Sequence, residues 1–273
     1  MPLLIALLPL GAVALWLAAS PLWARYRRAR LMRRPFPAAW REILRRELPY
    51  FRLMPVDLQL QLKRHIQVFV AEKRYVGCDG LVVDDTIRIS IAAQACLLQL
   101  NRRADYFPEL RQILVYPEPF IVERQRADSI GLHHAQHQVL SGESWSQGQV
   151  ILSWRDARDG AADATDGRNV VIHEFAHQLD QEFGHANGAP LLRGTQSYAR
   201  WSEVLGTEYA RLQAQAARGE PSLLSHYGAT DPAEFFAVAS EVFFEQASSM
   251  AELHPALYAE LSAFYGVDPL SWS

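Results

Sequence analysis

The chain has 273 residues, 49% hydrophobic and 11% aromatic, enough for one sizeable core and too apolar along its length for a disordered chain. Its net charge of -3 conceals an asymmetry: residues 1–37 hold six arginines and no acid, leaving 21 of the 27 basic side chains against all 30 acidic ones in the rest. An acidic body argues against direct nucleic-acid binding, which calls for a basic footprint, and two isolated cysteines, Cys78 and Cys96, exclude a disulfide framework.

Residues 1–23 are almost wholly apolar and carry no charged side chain; as a helix they would span roughly 34 Å, enough for a bilayer core. Arg25, Arg27, Arg28, Arg30, Arg33 and Arg34 follow this run. Charge after a long apolar stretch is the reverse of a secretory signal, and the positive-inside rule puts the arginines on the cytoplasmic side. The expectation is a transmembrane anchor over 1–23, a basic juxtamembrane linker over 24–37 and a domain over 38–273. That domain would face the cytoplasm from the inner membrane. The alternatives are a signal cleaved near Ala18-Ala19-Ser20 and a cytoplasmic protein.

Beyond Pro35 and Pro37, amphipathic helices are predicted over 38–48 and 57–73. The second has Asp57 as its cap and Leu58, Leu62, Ile66, Phe69 and Val70 at helical spacing. A turn over residues 77–80 leads to a short strand at 81–83. Asp84 or Asp85 then caps a buried helix running to about residue 100, with Cys96 as a buried thiol. Strands are predicted at 112–116, 120–122 and 149–154. The last is the expected edge for pairing with an extended peptide, and residues 124–147 between them form a polar loop or hairpin. A polar loop over 155–168 precedes helices around 169–183, 197–217, 231–248 and 254–264. Strands early and helices late predict an α+β domain, a small sheet packed on helices.

Asn169 is the expected N-cap of a helix over 170–180, a stretch without Pro or Gly. Within it, His173 and His177 stand four apart, one above the other on a single face. Two neutral imidazoles at that spacing can chelate one zinc ion, which accepts nitrogen donors and favours four-coordination. Glu174 points aside from such an ion and is placed to take a proton from water. The bland alternative is a helix with two incidental histidines; the capped start, the preceding strand and the apolar backing of Phe175 and Leu179 favour the metal.

A catalytic zinc needs a third protein ligand and an open position. His185 is too close along the chain, just past Gly184, and the longer spacing that would supply a histidine falls on Phe183. Downstream, Asp231 and Pro232 start a helix, with Glu234 at its third position and Glu241 two turns on along the same face. Locally, Glu234 reads as a capping-box carboxylate reaching back to Asp231, or as the third ligand. Glu241 is the rival ligand or a partner behind a metal-bound histidine, a supporting role also open to Asp180.

Several stretches together are more specific than the pentapeptide His173-Glu174-Phe175-Ala176-His177. They are Glu72-Lys73-Arg74, residues 91–98 (IAAQACLL), 113–117 (ILVYP), 150–154 (VILSW), 173–180 and 227–241. On these the chain, over most of residues 48–265, resembles the Mlc titration factor A family of zinc peptidases. The resemblance implies a zincin-like, gluzincin-type metallopeptidase domain with one zinc ion per chain. It implies His173, His177 and Glu234 as ligands, Glu174 as catalytic base, and aminopeptidase-like action on small peptide substrates. It also implies interaction with the glucose repressor Mlc. The spacing of Tyr227 and Glu234 is similar to that in the anthrax lethal factor protease domain, which implies that Tyr227 faces the reaction centre and donates to the oxyanion. Typical members of the family lack a segment like 1–23, so the membrane reading rests on that segment alone. The expected activity is zinc-dependent peptide hydrolysis. The rival is a regulatory protein that sequesters a transcriptional repressor, but a pure binder has no need of Glu174.

Overall fold

The computed structural model describes residues 20–102, 105–127, 133–140, 142–145, 148–163, 165–182 and 184–272. Residues 20–32 lie in a helix, α1. It is docked through arginine: Arg28 reaches Glu72 at 2.9 Å and Asp105 at 3.0 Å, and its guanidinium lies 4.8 Å over the Tyr106 ring. Leu31, Met32 and Phe36 pack against the core.

α2 (Ala38–Glu47) and α3 (Val56–Glu72) follow, and α3 buries Leu58, Leu62, Ile66 and Phe69, the stripe that its sequence spacing predicts. Asp57 sits in the first turn of α3 and does not cap it; Pro55 takes the N-cap position. The first strand, β1 (Arg74–Gly77), comes earlier than the predicted 81–83. A turn with Asp79 and Gly80 at positive φ reverses the chain, and Val82 beyond it is 83% exposed. α4 (Asp85–Leu97) starts on Asp84, whose carboxylate accepts from the Ile87 amide at 2.9 Å, and it buries Cys96.

β2 (Gln112–Tyr116) lies parallel to β1, with Arg74 opposite Gln112. β3 (Phe120–Ala127) and β4 (His133–Leu140) form an antiparallel ribbon, the hairpin of the two alternatives expected for the polar stretch. β5 (Gly142–Trp145) and β6 (Gln149–Ser153) complete a four-stranded sheet in the order β1-β2-β6-β5. β6 is parallel to β2 and antiparallel to β5. β6 is therefore an interior strand and not the expected edge, and β1 and β5 are the end strands of this sheet among the described residues. α5 (Trp154–Ala162) occupies the expected loop, capped by Ser153. Then come α6 (Val170–Asp180), α7 (Tyr198–Arg218), α8 (Pro232–Glu245), α9 (Ala247–Leu253) and α10 (Pro255–Tyr265).

Two expectations need correction. The α+β segregation of strands before helices fails, because the protein is mostly helical around a small four-stranded sheet and a two-stranded ribbon. β1, β2 and β6 are parallel, and parallel neighbours need crossovers, which interleave helix with strand: α4 lies between β1 and β2. The transmembrane helix preceding the domain is also withdrawn. Among the described residues no helix is long and apolar enough to cross a membrane. α1 is studded with arginines and ion-paired to α3, and residues 1–19 lie outside the described residues. The single-pass inner-membrane placement and the membrane contact through residues 1–23 rested on that helix and fall with it.

Candidate metal centre

α6 forms because Asn169 closes its first turn, its side-chain oxygen accepting from the Ile172 amide at 3.0 Å. One face carries Val171, Ile172, Phe175 and Leu179 into the core. Phe175 anchors it against Phe107 and Phe69, with ring centroids at 4.8 and 5.7 Å. The opposite face presents His173 and His177, whose Nε2 atoms are 3.2 Å apart. Glu174 is buried beside them, 5% exposed.

α8 packs across α6 and begins on Asp231, whose carboxylate accepts from the amides of Ala233 and Glu234 at 2.9 and 3.0 Å. The Glu234 side chain does not reach back to that cap. Its Oε2 lies 3.0 Å from His173 Nε2 and 3.4 Å from His177 Nε2, and its Oε1 accepts from the Tyr227 hydroxyl at 3.2 Å. Glu241, two turns on, meets the other side of the same ring, with Oε1 2.8 Å from His173 Nδ1. Its Oε2 accepts from the Asn169 amide. The two carboxylates thus divide between the two nitrogens of one imidazole: Glu234 lies on the cluster side and Glu241 behind.

Tyr227 sits on a short 3-10 turn, His226–Ala229, opened by Ser225 and closed by Thr230, whose hydroxyl donates to the Tyr227 carbonyl at 2.6 Å. Its ring lies 5.9 Å from that of His173 and the residue is 43% exposed. Asp180, at the end of α6, holds the loop that follows. Its Oδ2 accepts from the amides of Asn187 and Gly188, both at 2.7 Å, and Gly188 returns a carbonyl to the Trp201 indole at 2.9 Å. Gly188 has φ +75°, and a Cβ there would collide with the Pro232 carbonyl at the start of α8. Gly188→Ala is expected to cost about 1–3 kcal/mol, read as a lower urea midpoint, because the loop fixing the first turn of α8 would have to move. His185 is exposed and stands apart from the cluster.

The donor set suits zinc. A tetrahedral ion with bonds of about 2.0–2.1 Å holds its ligand atoms about 3.3–3.4 Å apart, and the three atoms here are 3.0, 3.2 and 3.4 Å from one another. The electrostatics agree. Burial works against a charge on Glu234, yet hydrogen bonds from His173 and His177 hold its carboxyl well below the usual range. Burial likewise disfavours protonation of His173, but Glu241 and Glu234 overcome it and push its pKa well up. Both shifts say that positive charge between these side chains is strongly favoured.

Sequence reasoning missed Glu245. It accepts from Asn169 Nδ2 at 2.8 Å and so steadies the residue that caps α6. Two acidic residues four apart, Glu241 and Glu245, in an otherwise apolar helix were the available signal. Burial, aided by Glu241 and Asp166, raises the Glu245 pKa to about 9 from the usual 4.5. Between those values the folded chain holds a proton that the unfolded chain has lost, so stability falls as pH rises through the window. Glu245→Gln keeps an acceptor for Asn169 and removes the titration. Its denaturation midpoints at about pH 5 and about pH 8.5 should lie closer together than those of the parent.

Two histidines and a carboxylate converging from crossed helices, with a further buried glutamate beside them, describe the kind of centre used by metal-dependent peptidases. Comparison with known proteins agrees. Residues 23–266 match the family described as glucose-regulated metallo-peptidase M90, and the chain belongs to that family. It is similar to an uncharacterized protein of Synechocystis sp., 36% identical over 271 residues, covering 99% of this chain and 98% of the relative. It is 37% identical over 237 residues to Mlc titration factor A of Cronobacter sakazakii, covering 86% and 88%. With Mlc titration factor A of Escherichia coli it shares 34% identity over 234 residues, covering 85% and 86%. Membership of a metallopeptidase family brings a metal ion with it.

Proposed function

We propose that this chain is a zinc-dependent peptidase that trims peptides from the amino terminus, with His173, His177 and Glu234 as metal ligands. The observation that carries the reading is the convergence of those three donors at spacings suited to tetrahedral zinc. A zinc ion held there supplies a Lewis acid and lowers the pKa of its water to about 7. Glu174, next to His173 in sequence and buried, accepts the proton of the attacking water and passes it to the leaving amine. Glu241, hydrogen-bonded to His173 Nδ1, fixes the tautomer that leaves Nε2 free to ligate. Tyr227, with its hydroxyl at the rim of the cluster, donates to the oxygen on which charge develops. β5, an end strand of the four-stranded sheet that packs on α6, offers backbone groups to an extended peptide.

A second reading draws on the name Mlc titration factor A carried by the relatives. In it, the chain binds an Mlc-like repressor and hydrolysis is secondary. Metal analysis of the purified chain together with a peptide-library digest separates the two. The peptidase reading expects one zinc per chain and stepwise release of amino-terminal residues. Full zinc without hydrolysis of any library member would favour the binder.

A further inference from the structure

The arginines after the apolar segment fall into two groups in the folded chain. Arg27 and Arg28 are spent on Glu72 and Asp105. Arg33 and Arg34 instead line an open cleft with Arg41 of α2 and with Lys63 and Arg64 of α3. No carboxylate lines this cleft, and among the described residues none of its five cations makes an ion pair. Neighbouring Arg45 and Arg46 do pair, with Glu42 and Glu47. Burial first, then repulsion from Arg41 and Arg45, holds the Lys63 ammonium below its usual pKa. Residues 1–19 contain no acidic side chain that could neutralise it.

The cleft is also held in shape. The buried Gln67 side chain donates to the carbonyls of Arg34 and Pro35 at 3.1 and 3.4 Å, tying the turn after α1 to α3. Met32, Phe36 and Leu60 give it apolar walls. Concentrating like charges in a chain of net charge -3 is unfavourable unless an anion joins them.

We propose that this cleft binds a small oligophosphate, a molecule carrying several phosphoryl groups close together, through Arg33, Arg34, Arg41, Lys63 and Arg64. Four of the five cations are arginines, whose planar fork matches phosphate oxygens two at a time. The cations converge in one concavity and do not run along a face, which suits a compact polyanion better than a duplex. The apolar walls accommodate an organic part of the ligand.

Calorimetric titration of the zinc-loaded chain with inorganic tripolyphosphate should show saturable binding that weakens as salt rises. Lys63→Ala with Arg64→Ala, on the half-buried and exposed side of α3, should weaken it by about tenfold or more without lowering the thermal unfolding temperature of the free protein. Arg33→Ala with Arg41→Ala, on the opposite wall, should do the same. Tripolyphosphate also chelates zinc, but equally in all these proteins, so the difference between them reports the cleft. A His177→Ala chain should retain the binding, which keeps this test separate from the fate of the peptidase reading. Absence of saturable binding, or an affinity in both double variants equal to that of the parent chain, overturns the proposal. Poly-glutamate binding as tightly as tripolyphosphate overturns phosphate as the ligand chemistry. Binding to phosphatidylglycerol vesicles but not to tripolyphosphate overturns the small-molecule assignment.

Discussion

Glu174→Gln is expected to lower peptide hydrolysis by about 10²–10⁴-fold or more while leaving the bound metal in place. The amide has the shape of the carboxylate but cannot take up the proton that an attacking water must lose. Glu174 is only 5% exposed, so no bulk base replaces it at short range. The three donors that converge within 4.8 Å of one another are His173, His177 and Glu234, and Gln at 174 leaves all of them intact. Metal content per chain and kcat on a cleaved peptide are the two measurements. Full activity in the variant would remove Glu174 from the role of base. Loss of metal along with activity would make it structural.

The second large effect separates two glutamates that sequence alone left as rivals. Glu234→Ala removes a carboxylate 3.0 and 3.4 Å from the two histidine Nε2 atoms and should weaken metal binding by more than about 100-fold. Glu241→Ala removes a partner of His173 Nδ1, on the far side of the ring, and should weaken it by about 10–100-fold. Chelator competition on both variants gives the ratio. The assignment reverses if Glu241→Ala alone strips the metal while Glu234→Ala stays loaded. Glu241 also accepts from the Asn169 amide, so its loss should loosen the start of α6, and thermal unfolding of the metal-free proteins should show that separately.

Much of the frame was legible in local sequence. α6 and α8 begin where Asn169 and Asp231 predict, each with its side chain on the amides of the first turn. β2 falls on 112–116, and α3 buries its predicted stripe. Where local reading failed, the cause was a competing tertiary term. Residues 155–162 are polar and contain Gly160, so they read as loop. They are helical because Ser153 caps them and Ala157 and Ala161 are buried on one face. The apolar run 81–83 read as strand, but the turn at Asp79–Gly80 had already carried the chain off the sheet. The strand at 149–154 read as an edge because nothing in its own residues reveals that β5 pairs beside it.

By itself the sequence determined the two imidazoles on one helical face, the glutamate beside them and the capped helix carrying Glu234 and Glu241, because helical periodicity places residues three, four and seven apart without help from the rest of the chain. Only the tertiary structure decided how α8 crosses α6. That crossing sets Glu234 against His173 Nε2 and Glu241 against His173 Nδ1. It also decided that the arginine-rich segment after residue 23 lies folded onto α3, because Glu72 and Asp105, distant in sequence, provide the charges that hold Arg28 there.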